Sequence, residues 1–171
     1  PPPNENQDVD EFILQRVELL LLQEIDESQD CIMVFVKGQS EIEHIVRKIR
    51  VARSGWRAFP YSREVDYDIM QQVHALPMHA KKIVIVSTNM GEQSITIEPV
   101  RTVISSCRVN RVCEGLDGLR RMVPTWAPQQ EIRNQGGRSG RKSSGKQVLA
   151  VPLAHLPLRR PPDIAVSADL R

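Results

Sequence analysis

The sequence predicts an α/β domain with a mostly parallel sheet, helices on both faces and an inserted β-hairpin. Three observations carry that expectation. Apolar, largely β-branched runs at CIMVFV (31–36), KKIVIVS (81–87) and VRTVIS (100–105) read as strands buried on both faces. They alternate with segments of helical periodicity, the order that builds a parallel sheet. One segment, RVNRVCEGLDGLRRMV (108–123), breaks the alternation with two β-capable runs around an Asp117-Gly118 turn.

Taken in order, residues 1–7 are Pro- and Asn-rich and are expected to be linker. DEFILQRVELLLLQEI places apolar residues at 12, 13, 17, 20, 21 and 25, a helical stripe with Asp8 or Asp10 near its N-cap. After strand 31–36, Ser40 and Glu43 form a capping-box pattern for a helix with Ile42, Ile45, Val46 and Ile49 on one face. GWRAFP is a short strand, and SREVDYDIMQQVHAL a helix ended by Pro77. Strands 81–87 and 100–105 follow, then the hairpin, the helix-compatible WAPQQEIRNQ and a last short strand, QVLAVP.

The chain has 171 residues, 40% hydrophobic and 26% charged, enough for one domain with a core. The apolar run at 17–22 is interrupted by Glu18 and too short to span a bilayer, and no signal peptide is recognisable. Three cysteines, 31, 107 and 113, form no C-x-x-C, so neither a zinc site nor a disulfide framework is indicated; Cys31 reads as a core residue. The four histidines lack ligand spacing, and no metal site is expected. A reducing, intracellular location, nuclear or cytoplasmic, fits this cysteine usage. Charge is uneven: residues 1–50 hold 5 basic and 11 acidic side chains, net −6, whereas 101–146 hold 10 and 3, net +7. The basic segment either faces an anion such as nucleic-acid phosphate or is a solvated basic face.

Gly140-Arg-Lys-Ser-Ser-Gly145-Lys146 matches G-x-x-x-x-G-K of a phosphate-binding loop. The match lacks the Ser or Thr that holds Mg²⁺, since Gln147 stands there, and the order of elements is reversed: helix before, strand after. The same letters hold Arg138 and Arg141, two guanidiniums three residues apart among glycines and Ser139. Guanidinium stays charged and binds phosphate oxygens bidentately. In open parallel sheets ligands bind beyond the C-terminal strand ends. Two further segments lie there: Lys37-Gly38-Gln39-Ser40, and the hydroxyl- and amide-rich stretch 87–96.

IMVFVKGQSEIE resembles the opening of the second RecA-like domain of DEAH-box RNA helicases, where a strand leads into Thr-Gly-Gln-Glu-Glu-Ile-Glu. KKIVIVSTNMGEQSITIEPV resembles their motif V, Ala-Thr-Asn-Ile-Ala-Glu-Thr-Ser-Leu-Thr-Ile. NQGGRSGRKSSGK resembles motif VI, Gln-Arg-x-Gly-Arg-x-Gly-Arg followed by Gly-Lys. The resemblance covers about residues 8–165 and implies a RecA-like, P-loop-NTPase-like fold over 8–155, with 156–171 leading toward a winged-helix region through PPDIAVSADL.

The resemblance also implies roles. Arg138 and Arg141 fall on the arginine fingers that reach the γ-phosphate of ATP, which is bound with Mg²⁺ mainly by the upstream RecA-like domain. Gly91, Glu92, Asn134, Gln135 and Gly137 fall on nucleotide-binding positions of motifs V and VI. Gly38, Gln39, Thr88, Asn89, Ser94 and Thr96 fall on RNA-backbone contacts, and Arg108 and Arg111 on a strand-separating hairpin. RNA, the upstream domain, the winged-helix region and activator proteins are the implied partners. No Walker A or Asp-Glu-x-His motif is present, so the fragment alone is expected not to hydrolyse ATP. Departures from the pattern are Asn134 and Gln135 in place of Gln-Arg, Gly91 and Gln93 in motif V, and Ser105 or Ser106 where an aspartate often stands. A divergent viral polyprotein helicase, a non-catalytic RNA-binding or scaffolding module and a self-contained P-loop enzyme are the alternatives.

Overall fold

The computed structural model describes residues 5–89, 96–138 and 145–159. Helix α1 (Glu5–Glu27) leads into β1 (Cys31–Val36), α2 (Gln39–Ala52), β2 (Arg57–Tyr61), α3 (Tyr67–His74), β3 (Ile83–Thr88) and β4 (Val100–Ser105). The hairpin β5 (Arg108–Glu114) and β6 (Arg120–Trp126), helix α4 (Gln129–Gly136) and β7 (Lys146–Leu149) follow. Five strands form one sheet in the order β2-β3-β1-β4-β7, every pair parallel. β5 and β6 pair antiparallel as a separate two-stranded sheet.

Alternation along the strands divides the core in two. Ile32, Val34 and Val36 of β1, with Val84, Val86 and Ile104, pack against Ile13, Val17, Leu21 and Ile25 of α1 and Ile42, Ile45, Val46 and Ile49 of α2. Cys31, Met33 and Phe35, with Ile83, Ile85, Val100 and Val103, face the other way and pack with Phe59, Tyr61 and Val73 of α3. This is why the central runs carry no polar alternation: both pleat faces meet helices. Each fully buried Ile or Val contributes about 1.5–3 kcal/mol over exposure, so four such positions on α2 outweigh its modest intrinsic preference for helix. A third, smaller cluster of Cys107, Val109, Ala127, Ile132 and Leu156 fastens the hairpin root to α4.

Burial lifts the Cys31 thiol to about 12 and also raises that of Cys107, so both behave as apolar core groups. Cys107 takes a positive φ of 61° where the chain leaves β4 for the hairpin. That conformation costs a non-glycine residue about 1–2 kcal/mol. The Ser105 hydroxyl accepting from its N–H at 3.1 Å, and its carbonyl accepting from Ala127 at 2.9 Å, hold it there.

Two expected caps are corrected. α1 begins at Glu5, before the boundary expected at residue 8, so Asp8 and Asp10 lie inside the helix, where Asp10 serves other partners. α2 is opened by extended Gly38 and not by Ser40, and no side chain caps it. The acid that reaches back is Glu41, whose Oε2 accepts from the Lys37 N–H at 3.1 Å. Glu43 instead accepts from Gln39 one turn away. The cap and the acid that reaches back thus lie two residues before those expected, and the residue at the cap is glycine.

Candidate functional site

The registers bring strand ends to one edge. Val36 of β1 lies beside Thr88 of β3, Tyr61 of β2 beside Ser87, and Phe35 beside Ser105 of β4. Beyond these ends lies a groove of about 510 Å³ lined by Lys37, Gly38, Gln39, Ser62, Arg63, Glu64, Thr88, Asn89, Asn110 and Met122. Gly38, Gln39, Thr88 and Asn89 were expected at this edge, and the groove gathers all four. Thr96 is half-buried but does not line it, and Gly91, Glu92 and Ser94 lie outside the described residues.

A Cβ at Gly38 would come within 2.8 Å of the Asn110 Nδ2, so a side chain there would make Asn110 shift. Asn110 therefore sits against the β1–α2 turn, and the hairpin forms a wall of the groove. Ser62 donates its hydroxyl to Gln39 Oε1 at 2.8 Å, joining the β2 end to the start of α2. Ser62, Arg63, Glu64 and Asn110 were missed by the sequence reading. The signal was available for the first three, since they directly follow a strand that had been recognised; the rule that singles out C-terminal strand ends applies to β2 as well.

The hairpin arginines are placed differently from expectation. Arg108 is 4% exposed; its Nε donates to Asp10 of α1 at 2.8 Å, and its guanidinium lies 4.6 Å from the centre of the Trp126 ring. It fastens the hairpin root to α1 and offers no exposed surface to a phosphate. Arg111 donates through Nη2 to Glu131 Oε1 at 2.9 Å, with its side chain 10% exposed. The opposite oxygen of Glu131, Oε2, accepts from Asn89 Nδ2 at 2.8 Å. Farther out, Val112 and Met122 face each other across the hairpin, both exposed, as are Leu116 and Leu119 near its tip.

The arginine turn follows α4. Gly137 continues the helical course at φ −66°, and the Arg138 N–H donates to Gln135 O at 3.0 Å. Arg138 is half-buried, and its charge opposes the burial-driven rise of the Tyr61 phenol pKa, which sets it near the end of β2. Arg141 lies outside the described residues. Asn134 is exposed and accepts from Gln130 at 3.1 Å. Gln135, expected to face the nucleotide, is 4% exposed and turned inward: the Ser105 hydroxyl donates to its Oε1 at 2.6 Å. Both positions were noted in the sequence as departures from motif patterns, and they touch.

The phosphate-loop alternative fails on context. Lys146 opens strand β7 and pairs with Glu24 of α1, which raises its pKa, while helix α4 precedes the loop. A strand follows where the phosphate-binding helix would have to begin. Among the described residues no group of His, Cys, Asp or Glu could hold a metal ion, and no helix is long and apolar enough to cross a membrane.

The sequence model of the helicase conserved C-terminal domain matches residues 15–143. The chain is 28% identical over 116 residues to the ATP-dependent RNA helicase TDRD9 of Danio rerio, covering 67% of this chain and 9% of that protein. It is 30% identical over 124 residues to a putative DEAH-box ATP-dependent helicase, UM11114, of Mycosarcoma maydis, covering 72% of this chain and 7% of that protein. The chain thus spans about a tenth or less of such relatives. Among solved structures, the DExH-box NTPase HrpB of E. coli superposes with a TM-score of 0.76 at 18% identity, covering 85% of this chain and 19% of that chain. That likeness fixes the fold as RecA-like.

Proposed function

The chain belongs to the helicase conserved C-terminal domain family, as the second RecA-like domain of a DExH/DEAH-type RNA helicase, and on that premise we propose how it works within the longer protein. The protein is an ATP-dependent RNA helicase. The groove beyond β1, β2 and β3 grips RNA backbone, and the turn after α4 lends Arg138 and Arg141 to a nucleotide held by the preceding RecA-like domain. ATP with Mg²⁺ supplies the phosphoryl chemistry. This domain supplies fixed positive charge and hydrogen-bond donors.

The groove carries the reading. Its lining mixes amides, a hydroxyl and a lysine, from Gln39, Thr88, Asn89, Asn110 and Lys37, donors suited to phosphate and ribose oxygens. Such contacts hold a strand in register without reading bases. The arginines suit a different task. Charge developing on a transferring phosphoryl group is stabilised by a guanidinium brought across a cleft, an effect on the order of 10³–10⁵ in rate. The chain itself holds no Walker A motif, and alone it is expected to turn over no ATP.

A second reading has one observation in its favour. Gln135 is committed inward to Ser105, so a motif VI position is spent on structure, as in a helicase-like domain kept as an RNA-binding scaffold. The two readings separate in the full-length protein. Arg138→Ala is expected to lower kcat for ATP by at least about 10²-fold while changing KM little, because the contact is made chiefly in the transition state. Thr88→Ala is expected to weaken binding of a labelled oligouridylate. Wild-type protein with no RNA-dependent ATP turnover, or an Arg138→Ala variant with unchanged kcat, sinks the enzyme reading in favour of the scaffold.

A further inference from the structure

We propose that Glu131 is a positioning residue that holds two walls of the groove in one geometry, so that RNA contact through the β3 end depends on the hairpin. The inference rests on the reading of the groove as the RNA site and adds to it a residue outside its lining.

The geometry is specific. Glu131 stands in the first turn of α4, where the helix N-terminus favours negative charge. Its two carboxylate oxygens are divided between two elements: Oε1 takes Arg111 of β5 at 2.9 Å and Oε2 takes Asn89 after β3 at 2.8 Å. Asn89 lines the groove itself. Arg111 adjoins Asn110, which lines it from the hairpin side and packs against Gly38. The three elements are remote in sequence, at separations of 42 and 20 residues, and the carboxylate is where they meet.

Only a carboxylate does this at that length. Both of its oxygens accept, so two donors arriving from different sides are satisfied together. A glutamine has the same shape but one accepting oxygen: it meets the Arg111 guanidinium with a neutral oxygen, and it meets Asn89 only if that amide reverses to present its own oxygen. Glu131→Gln therefore keeps the volume but removes the charge that holds Arg111 and requires Asn89 to reverse its amide. Arg111 would then be held at 10% exposure with its charge unanswered by this partner, an arrangement relieved by movement of the hairpin. Asn89 would keep a partner only in the reversed orientation, with its oxygen rather than its NH₂ turned to position 131 and the donor it presents to the groove changed.

The coupling is testable without assuming that Glu131 variants fold. Asn89→Ala, Arg111→Met and their double variant are made in the full-length protein, and each is titrated with a labelled single-stranded oligouridylate. The double variant is expected to bind no more weakly than the worse single variant, because both act through one carboxylate. In the Glu131→Gln background the two substitutions should show no mutual dependence. Glu131→Gln alone is expected to weaken RNA binding about 5-fold or more, the scale of a modest coupling between sites.

Additive effects of the Asn89 and Arg111 substitutions overturn the proposal, whatever Glu131→Gln does. An oligouridylate affinity for Glu131→Gln within twofold of wild type also overturns it. In either case a weakened Thr88→Ala variant leaves the groove reading standing. If Thr88→Ala, Asn89→Ala and Glu131→Gln all bind as wild type, the groove reading fails and this inference falls with it.

Discussion

Replacing Gln135 by arginine asks whether the buried contact at the end of β4 is a matched pair. Gln135 is 4% exposed and Ser105 is fully buried. The serine hydroxyl donates to Gln135 at 2.6 Å and accepts from the Cys107 N–H at 3.1 Å. A guanidinium at 135 would place a full charge against this neutral, already occupied hydroxyl. An uncompensated buried charge costs on the order of 3–5 kcal/mol. For a chain of this length each kcal/mol moves the melting temperature by roughly 2–4 °C, so the lower bound gives a drop of about 6–12 °C. Adding Ser105→Asp should restore much of that loss by supplying the counter-charge, with a coupling between the two sites of about 1–3 kcal/mol. Melting curves and urea midpoints of the wild type, both single variants and the double variant decide it. If Gln135→Arg alone melts within about 1 °C of wild type, or if the double variant loses the sum of the two singles, the two positions are independent and the reasoning is wrong.

Two further outcomes follow from ionisable groups. Burial pushes the Glu18 carboxyl up, but hydrogen bonds from Lys48 and His44, with their charges, outweigh it and hold its pKa below 4.5. A depressed folded pKa gives stability that is complete above the unfolded value and fades as pH falls through the folded one, so Glu18→Gln should flatten the stability profile below about pH 4.5 and leave a constant loss above it. A profile parallel to wild type throughout would show that the triad is electrostatically idle. Among thiols, Cys31 and Cys107 are buried with raised pKa values while Cys113 is half-buried, so a thiol reagent at mildly alkaline pH should modify one cysteine in the folded chain and three after unfolding. Fast modification that survives Cys113→Ser would contradict the burial assigned to the other two.

How much of this was legible depends on the range of the interaction. The strands 31–36, 81–87 and 100–105 were readable because burial on both faces leaves an unbroken apolar run, and the hairpin because Asp117-Gly118 sits between two β-capable segments. The strand-end rule places Gly38, Gln39, Thr88 and Asn89 at one edge, where the groove lies. What failed was whatever depends on a partner remote in sequence. The helix opens at Gly38, against which Asn110 sits, a contact across 72 residues (110 − 38). Gln135 was expected at the nucleotide from its resemblance to a motif position; that its partner is Ser105 is visible only when β4 and α4 are brought together. Glu131 carried no local signal at all.

The same logic revises the charge asymmetry. Read along the chain, the net +7 of residues 101–146 invites an external anion, opposite a net −6 in residues 1–50. In the fold the two segments answer each other: Arg108 pairs with Asp10, and Lys146 with Glu24, both acids on α1. Arg111 and Arg121 take Glu131 and Asp117 within the basic segment itself. Among the described residues, at least four of its ten cations are thus engaged by carboxylates of the same chain. Part of the gradient is a docking complementarity that seats α1 and the hairpin root, and it is not available to a ligand. On the proposed reading, contact with an RNA backbone rests on the neutral donors of Gln39, Thr88 and Asn110 beside Lys37 and Arg63, and less on the basic segment than the sequence charge implies. Neutral donors release no counterions, so the salt dependence of binding should be shallow for a segment so basic. A basic count locates the segment that matters; only the ion-pair partners tell which of its charges are left to act.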